Sequence, residues 1–138
     1  MLPAGGSCLL GSINLSEFVI NPFTPVARFD YDSFADTVMK AIVGLSEVLD
    51  EGLPLHPLAE QRDSVRDWRQ IGLGIMGIAD MLLKMGIKYG SNDSITLCDK
   101  IGYVMANQSI MMSAQMSGET ERFPKCNMAE IAETQFFA

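Results

Sequence analysis

Apolar residues recur three and four positions apart at Phe34, Val38, Ala41, Ile42, Leu45, Val48 and Leu49. That spacing predicts a long amphipathic helix, capped by Asp32 and ended by Gly52. Leu53-Pro54-Leu55-His56-Pro57 then reads as a rigid connection, with Pro57 placed to begin a highly charged helix reaching Trp68. Ile78, Met81, Leu82 and Met85 fall on one face of a short core helix closed by Gly86. Ser91 or Asn92 caps a longer helix with Asp93 in its first turn, carrying a broken apolar stripe of Ile95, Cys98, Ile101, Met105, Met112 and Met116 and stopping at Gly118. Phe123-Pro124 breaks the chain, and Asn127 with Glu130 three residues on marks a last helix bearing Met128 and Ile131.

Two stretches do not follow the helical period. Cys8 to Leu10 and Ile13 to Leu15 are short apolar pieces separated by Gly11-Ser12, a pattern that predicts strand, bend, then strand or loop. Between Arg69 and Gly77, Ile71, Leu73 and Ile75 alternate with small residues, as in a buried strand or extended loop. Asn21-Pro22-Phe23-Thr24-Pro25 predicts a surface turn, and Leu2-Pro3-Ala4-Gly5-Gly6 an irregular approach to the Cys8 segment. The pattern is mainly α with a few short β-strands, in one piece over residues 1–138 and without internal repeats.

Composition narrows the function. With 10 Lys plus Arg against 17 Asp plus Glu, the net charge of -7 gives a phosphate backbone no general attraction, so no nucleic-acid partner is expected. No apolar run is long enough to span a bilayer and no secretory leader is visible, which makes cytoplasmic the default and a membrane partner unexpected. Three cysteines, Cys8, Cys98 and Cys126, lack Cys-x-x-Cys spacing, and His56 is the single histidine, so neither a disulfide framework nor a metal site is expected within the chain. Cys98 and Cys126 read as structural or incidental, and His56 receives no role. The methionines read as core filler or as a contact surface, and Asp50-Glu51 and Glu119 to Glu121 as solvated charges near helix ends.

Gly72-Leu73-Gly74-Ile75-Met76-Gly77 satisfies Gly-x-Gly-x-x-Gly, the loop that cradles a dinucleotide pyrophosphate at a helix N-terminus. Its context is wrong: a charged, helix-like segment precedes it, and the acid expected roughly 20 residues on would be Asp99, inside a helix. Close packing of a strand against neighbouring backbone is the better account, and no cofactor-binding residue is assigned.

Ser7-Cys8-Leu9-Leu10-Gly11-Ser12-Ile13-Asn14-Leu15 carries the chemistry. Free cysteine usually behaves as a small buried hydrophobe, so Cys8 alone would not indicate catalysis. The run from Cys8 to Leu15, followed by Ser16-Glu17-Phe18-Val19, closely resembles the Cys-x-Leu-Gly-Ser-Ile-Asn-Leu segment of the catalytic subunit of ribonucleotide reductases. Arg69-Gln70-Ile71-Gly72-Leu73-Gly74-Ile75-Met76-Gly77-Ile78-Ala79-Asp80-Met81-Leu82 resembles a second segment of the same subunits, in the right order. The resemblance covers nearly the whole chain and weakens after Gly118.

The resemblance implies that the chain is a fragment of a ten-stranded α/β barrel, with Met1 an added start codon within a longer frame. It implies that the parent reduces ribonucleotides to deoxyribonucleotides by radical chemistry. Cys8 would be one half of a redox-active cysteine pair whose partner lies outside this chain, regenerated by an external, thioredoxin-like dithiol. Exchange of a 2′-hydroxyl for hydrogen needs two electrons, which a dithiol supplies on becoming a disulfide. The radical-bearing cysteine and its asparagine and glutamate belong to an Asn-x-Cys-x-Glu motif that is absent here, so the isolated chain is expected to be inactive. The parent would draw its radical from adenosylcobalamin or from a metal-containing partner subunit, and Leu9-Leu10 after Cys8 leans towards the cobalamin type. The alternatives are a non-catalytic or split-enzyme module that docks onto the remainder of the subunit, and a small nucleotide-binding domain using Gly72 to Gly77.

Overall fold

A computed structural model describes residues 2, 5–119 and 122–133. The expectations placed on Met1, Pro3, Ala4 and Glu121 lie outside the described residues. Strand β1 (Leu9–Asn14) pairs in parallel with β4 (Ile71–Met76), from Leu9 opposite Ile71 to Asn14 opposite Met76. A parallel pair needs a long crossover. Here the crossover comprises a short hairpin, helix α1 (Tyr31–Gly52) and helix α2 (Ala59–Trp68). The hairpin is β2 (Val19–Ile20) against β3 (Arg28–Phe29), joined through the exposed Asn21 to Val26 turn. Helices α3 (Ile78–Met85), α4 (Asn92–Glu119) and α5 (Met128–Ala132) follow.

The mainly helical character with short strands agrees with the sequence, and the described residues form two two-stranded sheets without a closed barrel. The bend anticipated at Gly11-Ser12 is absent. Both residues stay in register, opposite Leu73 and Gly74, because a parallel neighbour satisfies the backbone through the glycine. Where a bulge was expected, Gly11 instead leaves room for Leu45 and Leu73, whose methyl carbons would lie 3.5 and 3.6 Å from a Cβ there.

The core lies where β1, α1, α3 and α4 meet, and includes Ile13, Leu15, Phe34, Val38, Met81, Leu82, Leu97 and Ile101. Phe34 is fully buried and meets Phe18 and Phe29 edge-on, with ring centroids 5.4 and 5.5 Å away. Such geometry suits the quadrupoles of aromatic rings. Asp30, not Asp32, caps α1: its carboxylate accepts from the Ser33 amide (3.1 Å) and hydroxyl (2.8 Å), leaving Asp32 in the first turn. Val48 is exposed although it falls on the predicted apolar face.

Pro57 does not open α2. Leu58 is the N-cap, and Pro57 closes the connection that begins with a 3-10 turn at Leu53–Leu55. Ile95 is also solvent-exposed, and α4 buries Ser94, Leu97 and Ile101 instead. Ser91 supplies the first hydrogen bond of α4, its hydroxyl accepting from the Ser94 amide (3.2 Å), and Gly118 does not stop the helix, which includes Glu119. Asn127 caps α5 by accepting from the amides of Ala129 and Glu130. Among the methionines, Met81 is fully buried whereas Met76, Met111 and Met128 are exposed, so only part of the set serves as core.

Replacing the buried ring at the centre should be costly. Phe34→Ala is expected to lower unfolding free energy by about 3–5 kcal/mol, measured by urea titration of the purified chain.

Candidate functional site

Cys8 stands immediately before β1, at the amino end of the parallel pair, where the Leu9 amide donates to the Gln70 carbonyl (3.3 Å). It is half-buried, and its Sγ lies 3.9 Å from the Leu9 carbonyl. The two faces of the pair differ. Gly11, Leu73 and Ile13 turn towards α1 and the core, whereas Cys8 and Leu10 share the opposite face with Gly72, and Ser12 with Gly74. Leu10 (76 % exposed) and Met76 (55 %) show that this second face is uncovered among the described residues.

At the amino end of β1, Ser7, Cys8 and Leu9 border a cleft of about 390 Å³ that also touches Val48, Leu49, His56 and Val65. His56, assigned no role from sequence, is thus near the thiol segment. Its carbonyl accepts from the Arg62 guanidinium (2.5 Å), which fixes the connection between α1 and α2.

Arg69 was not singled out as functional, yet it sets the entry into β4. It adopts a left-handed conformation (φ 46°) at the end of α2, and its guanidinium makes two bonds to the Asp50 carboxylate at 2.5 and 2.8 Å. Asp50 is therefore paired, not merely solvated. The hydrogen bond from Arg69 holds the Asp50 carboxyl below its ordinary value of 3.8, partly opposed by burial, and the same bond raises the Arg69 guanidinium. No sequence pattern announces a contact between residues so far apart along the chain; the left-handed cap is itself uncommon for a residue other than glycine.

At the far end of the pair, Asn14 Oδ1 accepts from the Ser16 amide (3.2 Å) and fills the space where Gly77 would carry a Cβ. Gly77 has φ 75°, a second reason for glycine at the turn into α3. Lys84 donates to the Ser16 carbonyl (2.8 Å) and ties α3 back to the residues after β1. The glycine-rich run is thus mostly strand, without the preceding strand or phosphate-facing loop of a dinucleotide site, as its context implied.

All three cysteines are free thiols. Cys98 lies within α4, and Cys126 follows the turn whose Lys125 amide donates to the Asp67 carbonyl (3.1 Å), its Sγ 3.9 Å from Met128 Sδ. Neither forms a bond to Cys8. Among the described residues there is no group of three or more His, Cys, Asp or Glu side chains placed to hold a metal ion, and no helix is long and apolar enough to cross a membrane.

Residues 3–138 match the family model described as the ribonucleotide reductase, barrel domain. The chain is 35 % identical over 118 residues to a vitamin B12-dependent ribonucleoside-diphosphate reductase of Thermoplasma acidophilum, covering 86 % of this chain and 15 % of the relative. It is 30 % identical over 128 residues to a protein of the same description from Mycobacterium tuberculosis, covering 93 % of this chain and 18 % of the relative. Similarity extends to the ribonucleoside-diphosphate reductase subunit alpha of Chlamydia pneumoniae, at 31 % over 112 residues, covering 81 % and 10 %. The chain spans less than a fifth of the length of these curated relatives.

The Asp50–Arg69 pair gives a pH signature. Because the Asp50 pKa is depressed in the fold, its stabilisation is full above the ordinary value of 3.8 and is lost as pH falls through the lower folded value. The pair is partly exposed, so the effect is expected to be no more than about 1 kcal/mol. Urea titrations from pH 6 down to pH 2 should show a difference between the native chain and Asp50→Asn that shrinks towards zero in acid.

Proposed function

The chain belongs to the ribonucleotide reductase barrel-domain family, and we propose that it is one part of a catalytic subunit that reduces ribonucleotides to deoxyribonucleotides. The carrying observation is Cys8, a half-buried free thiol held at the head of a strand whose Cys8 face is uncovered among the described residues. In the parent that face would turn towards the interior of a ten-stranded α/β barrel, with the remaining strands supplied by the rest of the subunit. Among the described residues the outer edges of the two-stranded β1–β4 sheet are unpaired, which is consistent with such neighbours.

Cys8 acts here as one of two reducing thiols. Two thiols give two electrons and two protons to the nucleotide; the 2′-hydroxyl leaves as water, a C–H bond replaces the C–O bond, and the two sulfurs join as a disulfide. An external dithiol of thioredoxin type then reduces that disulfide by exchange. The other cysteine of the pair, and the thiyl-radical cysteine with its asparagine and glutamate, belong to the remainder of the subunit. The names of the relatives in Thermoplasma acidophilum and Mycobacterium tuberculosis support adenosylcobalamin as the radical source of the parent, in preference to a metal-containing partner subunit.

The exposed apolar side chains of Leu10, Met76, Leu83, Tyr103 and Met111 also favour docking onto the rest of the subunit. A split-enzyme module would share this property. Gel filtration with an upstream piece of the parent should then give a stable complex, and failure to associate would contradict docking.

In the complete subunit, Cys8→Ser is expected to abolish sustained dithiol-fed turnover while leaving the substrate dissociation constant within about twofold, since the change removes an electron donor and not a binding group. Unchanged steady-state turnover would refute the assignment. The purified 138-residue chain alone is expected to show no nucleotide reduction in a radiolabelled-substrate assay.

A further inference from the structure

We infer that Gly72 is a positioning residue for Cys8, leaving one side of the sulfur open to the approach of another sulfur. A Cβ at Gly72 would lie 2.7 Å from Leu10 Cδ2 and 3.3 Å from Cys8 Sγ. The first contact is relieved easily, because Leu10 is exposed and its methyl group can turn aside. The second involves the Sγ itself, on a residue whose neighbouring backbone is held by the Leu9–Gln70 bond, so any relief must come from turning the thiol away from Gly72.

The requirement is spatial. Gly72 is not among the glycines with positive φ, so its backbone would accept alanine. Gly74, two residues along the same strand, provides the contrast. A Cβ there would have ordinary neighbours, Ser12 Oγ at 3.5 Å and the Gly11 carbonyl at 3.7 Å. The two glycines share a strand and a face, yet Gly72 alone has Sγ for a neighbour.

Thiol–disulfide exchange proceeds by attack of one sulfur on another, and its rate depends on access to the attacked or attacking atom. A methyl group beside Sγ narrows that access without adding charge or a proton donor. The inference rests on the reading of Cys8 as half of a redox pair for its meaning in the parent, but the geometry can be tested without catalysis.

In the full 138-residue chain carrying Cys98→Ser and Cys126→Ser, Cys8 is the sole thiol. Its thiolate attacks the aromatic disulfide 5,5′-dithiobis(2-nitrobenzoate), forming a mixed disulfide and releasing one thionitrobenzoate. Gly72→Ala is expected to slow this reaction at least about threefold, with Gly74→Ala within a factor of two. The double variant Leu10→Ala, Gly72→Ala removes the 2.7 Å clash and retains the contact with Sγ, so it should fold and remain slow relative to Leu10→Ala. Equal or faster reaction in both Gly72→Ala backgrounds, or equal slowing by Gly74→Ala, would overturn the inference. In the complete subunit, Gly72→Ala should lower kcat for dithiol-fed turnover with KM unchanged. Slowed exchange in the chain with unaltered kcat in the subunit would instead count against the redox role of Cys8.

Discussion

The parallel ladder between β1 and β4 is the constraint from which the rest of the structure follows. Parallel strands cannot be joined by a tight turn, so the chain must leave β1, cross over and return. That path contains the hairpin, α1 and α2, and α1 covers one face of the ladder on its way. The same ladder places Cys8 diagonally from Gly72, Ser12 beside Gly74 and Asn14 against Gly77, so glycines in the second segment match side chains in the first. Two motifs separated along the sequence are therefore the two halves of one local structure.

Several separate devices hold the ends of that ladder. At the amino end the Asp50–Arg69 pair and the Arg62–His56 bond secure the path from α1 through α2 into β4. At the carboxyl end Asn14 and Lys84 fix the turn after β1 to α3. Between them the aromatic contacts of Phe34 with Phe18 and Phe29 anchor the hairpin to α1. The thiol thus lies on a supported backbone whose Cys8 face is uncovered among the described residues, which suits the proposed role of Cys8.

Much of the helical structure was legible from spacing. The residues from Ile78 to Met85 with Gly86 specify α3 because period, face and left-handed stop agree. Caps were less legible: Asp30 and Asp32 are chemically equivalent candidates, and only the reach of Asp30 to Ser33 decides between them. Ile95 misleads because the face of α4 that meets the core is set by α1, which selects Leu97 and Ile101. Gly11-Ser12 misleads for a related reason, since a glycine that suggests a bend in isolation is held straight by a paired neighbour. For the site, the segment that carries Cys8 stands out by its motif, whereas the Asp50–Arg69 pair and the approach of Gly72 to Cys8 depend on contacts made only when distant segments meet.

The central claim is that Cys8 gives an electron in nucleotide reduction, and the most direct measurement is disulfide mapping after turnover. The complete subunit would be pre-reduced, allowed to react with ribonucleotide in the absence of external dithiol, quenched in acid with alkylation of free thiols, and digested for mass spectrometry. The account requires Cys8 to be found in a disulfide with a cysteine from outside this chain, in proportion to deoxyribonucleotide formed. Quantitative alkylation of Cys8 alongside product formation would contradict it.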